Sequence, residues 1–171
     1  MNLITSSDIR NFGSYSDRKN CFDDNMELDV AVKFINNYCD DNDVIKKKPY
    51  GRYGVDIGVF DGANNLKYAV DVERWSKWND DWPQNYKHLS FLGRKDKFLN
   101  HGQFAMMFFN YDLTKLIRII KNDIIKVSRE KRFTQGKFDI VRKVPFKYGK
   151  LYGTNLTERE MSIFDYEVCK L

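Results

Sequence analysis

The chain has 171 residues, 42% of them hydrophobic and 15% aromatic, with a formal net charge of +5. That is enough apolar material for the core of one domain, and no apolar run approaches the roughly 20 residues needed to cross a bilayer. The cysteines Cys21, Cys39 and Cys169 are far apart with no Cys-x-x-Cys pair, and His88 and His101 are the only histidines; this argues against structural zinc and for free thiols in a reducing compartment.

Residues 1–20 are polar and read as a loose arm or short helix. Met1–Ser7 has no basic region followed by an apolar stretch, so no secretion signal is expected and the cytoplasm is the expected location. Asp23 or Asp24 can cap a helix in which Leu28, Ala31, Val32, Ile35 and Tyr38 recur at helical spacing. Glu27 and Asp29 fall in its first turn, where acids suit the helix dipole. Asp40–Asp43 lacks the glycine and the distal acid of a calcium loop, and Lys46–Pro49 closes a connection.

Two short apolar strands follow. In Tyr53–Phe60, alternation sends Val55, Ile57 and Val59 to one face and Asp56 to the other. In Leu66–Trp75, Val70 and Val72 face one way, Asp71 and Glu73 the other. Asp61–Asn65 between them is built from turn-forming residues and predicts a hairpin. Beyond it lie an aromatic linker, Trp75–Pro83, whose tryptophans are expected to pack on the core, and a third strand, Tyr86–Leu92. Gly93–Asn100 is basic and predicts a short helix, while Gln103–Asn110 is apolar enough for a strand buried on both faces. Further strands are expected at Leu116–Ile120, at Ile124–Val127 and within 131–153, with a turn at Gln135-Gly136; Thr157–Glu160 resembles a capping box.

The charge is uneven along the chain. Residues 1–80 hold 11 Lys/Arg against 14 Asp/Glu, residues 81–171 hold 18 against 10, and 115–150 alone hold 12 against 3. A basic half beside an acidic cluster suits a protein that binds a polyanion and brings a cation to it. Asp56, Asp71 and Glu73 would converge beyond one face of the hairpin, where like charges repel unless neutralised, and oxygen ligands of this kind suit Mg²⁺. The chemistry expected is that of a metal-dependent nuclease.

The order of helix, strand with Asp56, strand with Asp71-x-Glu73, third strand, basic helix and apolar strand resembles the PD-(D/E)xK nuclease superfamily over roughly residues 25–120. The resemblance implies an α/β fold with a restriction-endonuclease-like core, a central mixed β-sheet flanked by helices. A basic, β-rich C-terminal part at about 121–171 would complete a single domain over 1–171. It implies DNA cleavage with Mg²⁺, for which Mn²⁺ can substitute. Asp56 matches the first motif aspartate and Asp71 the second acid, while Glu73 stands where the family usually has its lysine. Glu27 matches the acid that many members carry on the first helix. Lys95 is the candidate for a migrated lysine, with Lys97, Lys87 and Arg74 behind it.

On this reading Asp56 and Asp71 hold the metal, Glu73 is a third ligand or orients the attacking water, and Lys95 offsets charge on the phosphoryl oxygens. Arg74, Lys87, Arg94, Lys97, Arg129, Lys131 and Arg132 are the expected contacts to double-stranded or branched DNA. A homodimer is expected, because one small site cuts one strand. A small phage-encoded or homing-type endonuclease fits, with a Holliday-junction resolvase as the alternative among enzymes. A non-catalytic nucleic-acid-binding protein with a degenerate site is the alternative from another class.

Overall fold

A computed structural model describes residues 26–79, 82, 83 and 86–153; the expected N-terminal arm, the Asp23/Asp24 cap, Cys21, Cys169 and Thr157–Glu160 lie outside them. In chain order the elements are α1 (Met26–Asn36), β1 (Val44–Lys47), β2 (Ile57–Phe60), β3 (Leu66–Arg74), β4 (His88–Leu92), the 3₁₀ helix η1 (Gly93–Asn100), β5 (Phe104–Phe109), β6 (Lys115–Ile120), α2 (Lys121–Ile124), β7 (Glu130–Thr134), β8 (Lys137–Pro145), η2 (Phe146–Tyr148) and β9 (Lys150–Gly153). The molecule is mixed α/β and rich in strand, with few helices among the described residues.

Six strands form one mixed sheet in the order β1-β2-β3-β5-β6-β9, and β4-β8-β7 form a second. The only parallel pair among them is β3 with β5, in register from Ala69↔Phe104 to Arg74↔Phe109. The predicted β2–β3 hairpin is present. Its turn is tied by Asp61 Oδ1, which accepts from the N–H groups of Ala63 at 2.9 Å and Asn65 at 2.8 Å, while Asn64 takes the left-handed conformation open to asparagine (φ 64°). Every residue of β5 is buried, as its unbroken apolar run requires.

The two faces of the large sheet carry separate apolar clusters. On one, Leu28, Ala31, Phe34 and Ile35 of α1 meet Ile57, Val59, Val70, Val72, Met107 and Phe109. On the other, Phe104, Met106, Phe108, Ile117 and Ile119 are covered by the small sheet, η1, α2 and the tryptophans. Trp78 and Trp82 are buried, with Trp82 4.6 Å from both the Trp75 and the Phe146 rings, centroid to centroid. The expected flanking by helices therefore holds on one face, where α1 packs, while a second sheet does most of the covering on the other.

Three expectations are corrected. The first strand begins at Ile57 rather than Tyr53, so Val55 escapes strand phase and joins the opposite cluster from Ile57 and Val59. The third strand forms at His88–Leu92 but pairs with β8 in the small sheet. Ile124–Val127 is the end of a helical turn, not a strand. Ile124 and Val127 both reach the core from three residues apart while Ile125 stays exposed, a spacing that helical geometry satisfies and strand alternation does not.

Candidate active site

Asp56 occupies the last loop position before β2. Because β2 starts at Ile57, paired with Val70, it ends too early to cover the N–H of Val72 two residues along β3. The Asp56 side chain takes the vacated role: Oδ2 accepts from Val72 N–H at 2.9 Å. Its Oδ1 accepts from the ammonium of Lys48. Lys48 follows β1 directly, and the β1–β2 pairing of Lys47 with Ile57 sets it across from Asp56. It adopts a positive φ of 48° as the chain turns away toward Gly51.

Asp71 lies in mid-β3 beside Met106 of β5 and is only 4% exposed. Glu73 follows two residues later on the same face and is half-buried. Both point toward the layer that holds η1, and Lys95 of η1 reaches between them. Its Nζ donates to Asp71 Oδ2 and to Glu73 Oε1, each at 2.6 Å. In a 3₁₀ helix, successive residues lie a third of a turn apart. Lys95 can therefore face the acids while Asp96 accepts from Arg129 at 3.3 Å and Arg142 at 3.2 Å, and Lys97 donates to the Tyr53 carbonyl at 2.6 Å. Phe98 anchors the helix, buried with its ring centroid 6.0 Å from that of Phe104.

Three carboxylates (Asp56, Asp71, Glu73) against two ammonium groups (Lys48, Lys95) leave one negative charge in the cluster. Protonating Asp71 removes it. Burial raises the Asp71 carboxyl to about 7; the Asp56 carboxylate adds to this, by its charge and as hydrogen-bond partner of the protonated acid, and Lys95 works against it. Burial by itself would lower Lys95, but Glu73 and Asp71 outweigh it and hold the ammonium above its ordinary value.

No protein-family model matches the chain, and no curated protein matches it. What the cluster can do follows from its own geometry. Among the described residues no three His, Cys, Asp or Glu side chains form a ready-made cation cage. Lys95 lies between Asp71 and Glu73 and takes an oxygen of each. Lys48 pairs with Asp56 one to one, whereas Asp71 and Glu73 share Lys95, so the uncompensated charge falls on the Asp71–Glu73 pair. Asp56 and Asp71, whose carboxyls share a hydrogen bond, would be the oxygens to hold a cation such as Mg²⁺ once Lys48 gives way, with waters filling the rest of its shell.

The structure brings Asp56, Asp71, Glu73 and Lys95 into contact, while Arg74, Lys97, Arg129 and Arg132 make contacts to other groups. Glu27 lies in the first turn of α1, the helix whose Leu28, Ala31, Phe34 and Ile35 pack on the far face of the sheet. Arg74 follows Glu73 and so points to that far face; its Nε donates to the Tyr111 carbonyl at 2.8 Å and its guanidinium lies 4.7 Å from the Tyr111 ring centroid. Lys67, a possible cross-strand partner for the acids, pairs instead with Asp40 and Asp43. Lys87 and Arg94 are exposed on either side of β4, Lys131 is exposed on β7, and Arg132 is half-buried near Ser90 and Asp139. Lys48 was not among the expected site residues. Its signal was present, since a strand over Val44–Lys47 sets it opposite Asp56, but reading Lys46–Pro49 as loop hid that register.

Proposed function

We propose that this protein is a metal-dependent nuclease that hydrolyses phosphodiester bonds in DNA, with Asp56, Asp71, Glu73 and Lys95 as its reactive cluster. The observation that carries the reading is the placement of the Lys95 ammonium 2.6 Å from both Asp71 and Glu73, with Asp56 against Asp71. A structural ion pair needs one acid. This cluster concentrates three and keeps an excess negative charge beside a buried carboxylate, which costs stability and is typical of functional sites. The order of α1, the β2–β3 hairpin carrying Asp56 and Asp71-x-Glu73, basic η1 and apolar β5 supports a resemblance to PD-(D/E)xK nucleases, with Lys95 as the migrated lysine.

Each residue has a derivable task. Asp56 and Asp71 would hold the cation, and Mn²⁺ would fit the same oxygens. When bound, the cation supplies Lewis acidity, drawing in the phosphate and making a nearby water more acidic. Lys95 stays charged and donates to the non-bridging phosphoryl oxygens as negative charge builds there. Glu73 keeps Lys95 in position and, once Lys95 turns toward phosphate, has a free carboxylate to orient water. Asp71 must lose its proton to ligate, so the cation competes with the proton on this raised carboxyl and binds more weakly as pH falls below about 7.

One observation favours a second reading. Lys95 satisfies Asp71 and Glu73 without any metal, as it would in a non-catalytic DNA-binding protein of the same fold. Incubating supercoiled plasmid and branched DNA with Mg²⁺ or Mn²⁺ separates the two. The nuclease reading expects metal-dependent cutting by the wild type that D71N lacks. DNA binding without cutting under any metal would move the assignment to the binder.

A further inference from the structure

We infer that the β7–β8 hairpin is a stacking platform for unpaired nucleotides, which would direct this protein to branched or gapped DNA in preference to continuous duplex. DNA as the ligand rests on the reading above; the platform rests on separate observations.

The antiparallel register sets Phe133 directly opposite Phe138 beside the two-residue Gln135-Gly136 turn. Their ring centroids lie 5.0 Å apart, tilted by 55°, and the residues are 64% and 72% exposed. Alternation places Ile140, 40% exposed, on the same face of β8 as Phe138. Farther along that face come Arg142 and then Val144, which joins the core. The hairpin thus carries the core-facing side of the small sheet out past the core, as a stripe of apolar side chains open to water. Its inner end abuts η1, where a Cβ on Gly93 would come within 2.8 Å of Ile140 Cβ. Arg94, Arg129, Phe138 and Ile140 line a shallow cleft at this junction.

The charges around the stripe decide its occupant. Glu130 and Asp139, the acids of the hairpin, are paired with Lys143 and Arg132. Arg94 and Lys131 are exposed and enter no ion pair among the described residues, and alternation puts Lys131 on the same face of β7 as Phe133. Aromatic faces flanked by uncancelled cations match a nucleic-acid strand, whose bases stack on rings while its phosphates meet the cations. A second copy of this chain is a poorer match, because it would bring the same cations and a net charge of +5 to the same surface. Base faces are available only where bases are unpaired, since in a duplex they are stacked on each other. Arg94 is also the neighbour of Lys95 on η1, so a strand held at the hairpin can continue toward the Asp71–Glu73–Lys95 cluster.

The test is binding without catalysis. In EDTA, fluorescence anisotropy would compare a continuous duplex with one of equal length carrying a three-nucleotide gap that contains 2-aminopurine. The wild type should bind the gapped DNA about 5- to 160-fold more tightly, the range expected for stacking one base, and should quench the 2-aminopurine. Phe133→Ala/Phe138→Ala should bind both DNAs at the duplex level without quenching, and Phe133→Leu/Phe138→Leu should lose quenching while keeping the same circular dichroism as wild type. D71N should keep the preference. Equal wild-type affinities, or a preference that survives both double variants, would overturn the proposal. So would a wild-type dimer in sedimentation that the alanine pair converts to monomer with no change in preference, since the platform would then be a self-interface. None of these readouts needs cleavage, so failure of the nuclease reading registers separately, in the plasmid assay.

Discussion

Asp71 is where residue-scale electrostatics become measurable. Its carboxyl titrates near 7 in the folded chain, against about 3.9 for an ordinary aspartate in an unfolded one. Below about pH 4 both states hold the proton and stability is unaffected. Between about 4 and 7 only the folded state keeps it, so stability falls as pH rises, by at most about 1.4 kcal/mol per pH unit, and levels off above 7. Urea denaturation across this range should show that slope in the wild type and lose it in D71N. Added Mg²⁺ should flatten it, because a cation favours the carboxylate. For cleavage at Mg²⁺ concentrations well below saturation, where the cation must displace the Asp71 proton, the rate should climb by up to about tenfold per pH unit toward pH 7. K95M should push that limb to higher pH, since Lys95 is what draws Asp71 downward. At pH 8, D56N and D71N should lose at least about 1,000-fold in cleavage rate and K95M about 100- to 1,000-fold, with circular dichroism confirming that each variant is folded.

At the scale of elements, close approach of backbone and turn chemistry hold the site together. η1 touches β8 through Gly93, where an added Cβ would meet Ile140 Cβ at 2.8 Å and its carbonyl oxygen at 3.0 Å. Backbone cannot yield as a flexible side chain can, so G93A should cost about 1–3 kcal/mol in urea denaturation and loosen the cleft beside Arg94. The β5–β6 turn depends on Asn110, which is fully buried. Its amide donates to the Asn79 carbonyl at 2.9 Å and to Asp112 Oδ1 at 2.6 Å, and its oxygen accepts from Lys115 N–H at 2.8 Å. N110L should therefore cost about 1–3 kcal/mol through stranded partners. The β2–β3 hairpin, β5 and the hairpin turn at Gln135-Gly136 were all readable because alternation, unbroken apolarity and turn residues are local signals. Val55 and Ile124–Val127 were misread because each sits where an element ends. There the neighbouring layer, not the local pattern, decides which way a side chain turns.

For the whole molecule, the basic C-terminal region is woven into the rest. β8 supplies the hydrogen-bonding partner of β4, and β9 closes the β6 edge of the large sheet. Val144 and Phe146 share a core cluster with Phe91 and Phe104. A fragment spanning 26–120, close to the extent of the family resemblance, would expose both strand edges and strip Ile124, Val144 and Phe146 from one cluster. It should lack a cooperative thermal transition, whereas the full chain should unfold in one. Charge acts at the same scale: if the cations of the 115–150 region track phosphates, DNA affinity should fall steeply with salt. A log–log slope near zero between 50 and 200 mM would sink the polyanion reading. No helix among the described residues is long and apolar enough to cross a membrane.

By itself the sequence determined the hairpin that carries Asp71 and Glu73 on one face, the apolar strand behind it and the short basic helix that follows. Those features depend on periodicity and turn propensity, which are written over a few neighbouring residues. It also brought Lys95 into consideration as one cation among several. Only the tertiary structure decided that Lys95, and not Lys67 or Arg74, meets the acids, because η1 is fixed there by Phe98 and by Asp96 with its two arginines. It also decided that α1 packs across the sheet from Asp71 and that Arg74 turns to Tyr111. Contacts between residues more than 20 positions apart depend on how layers stack and on strand register, and no local pattern of residues encodes either.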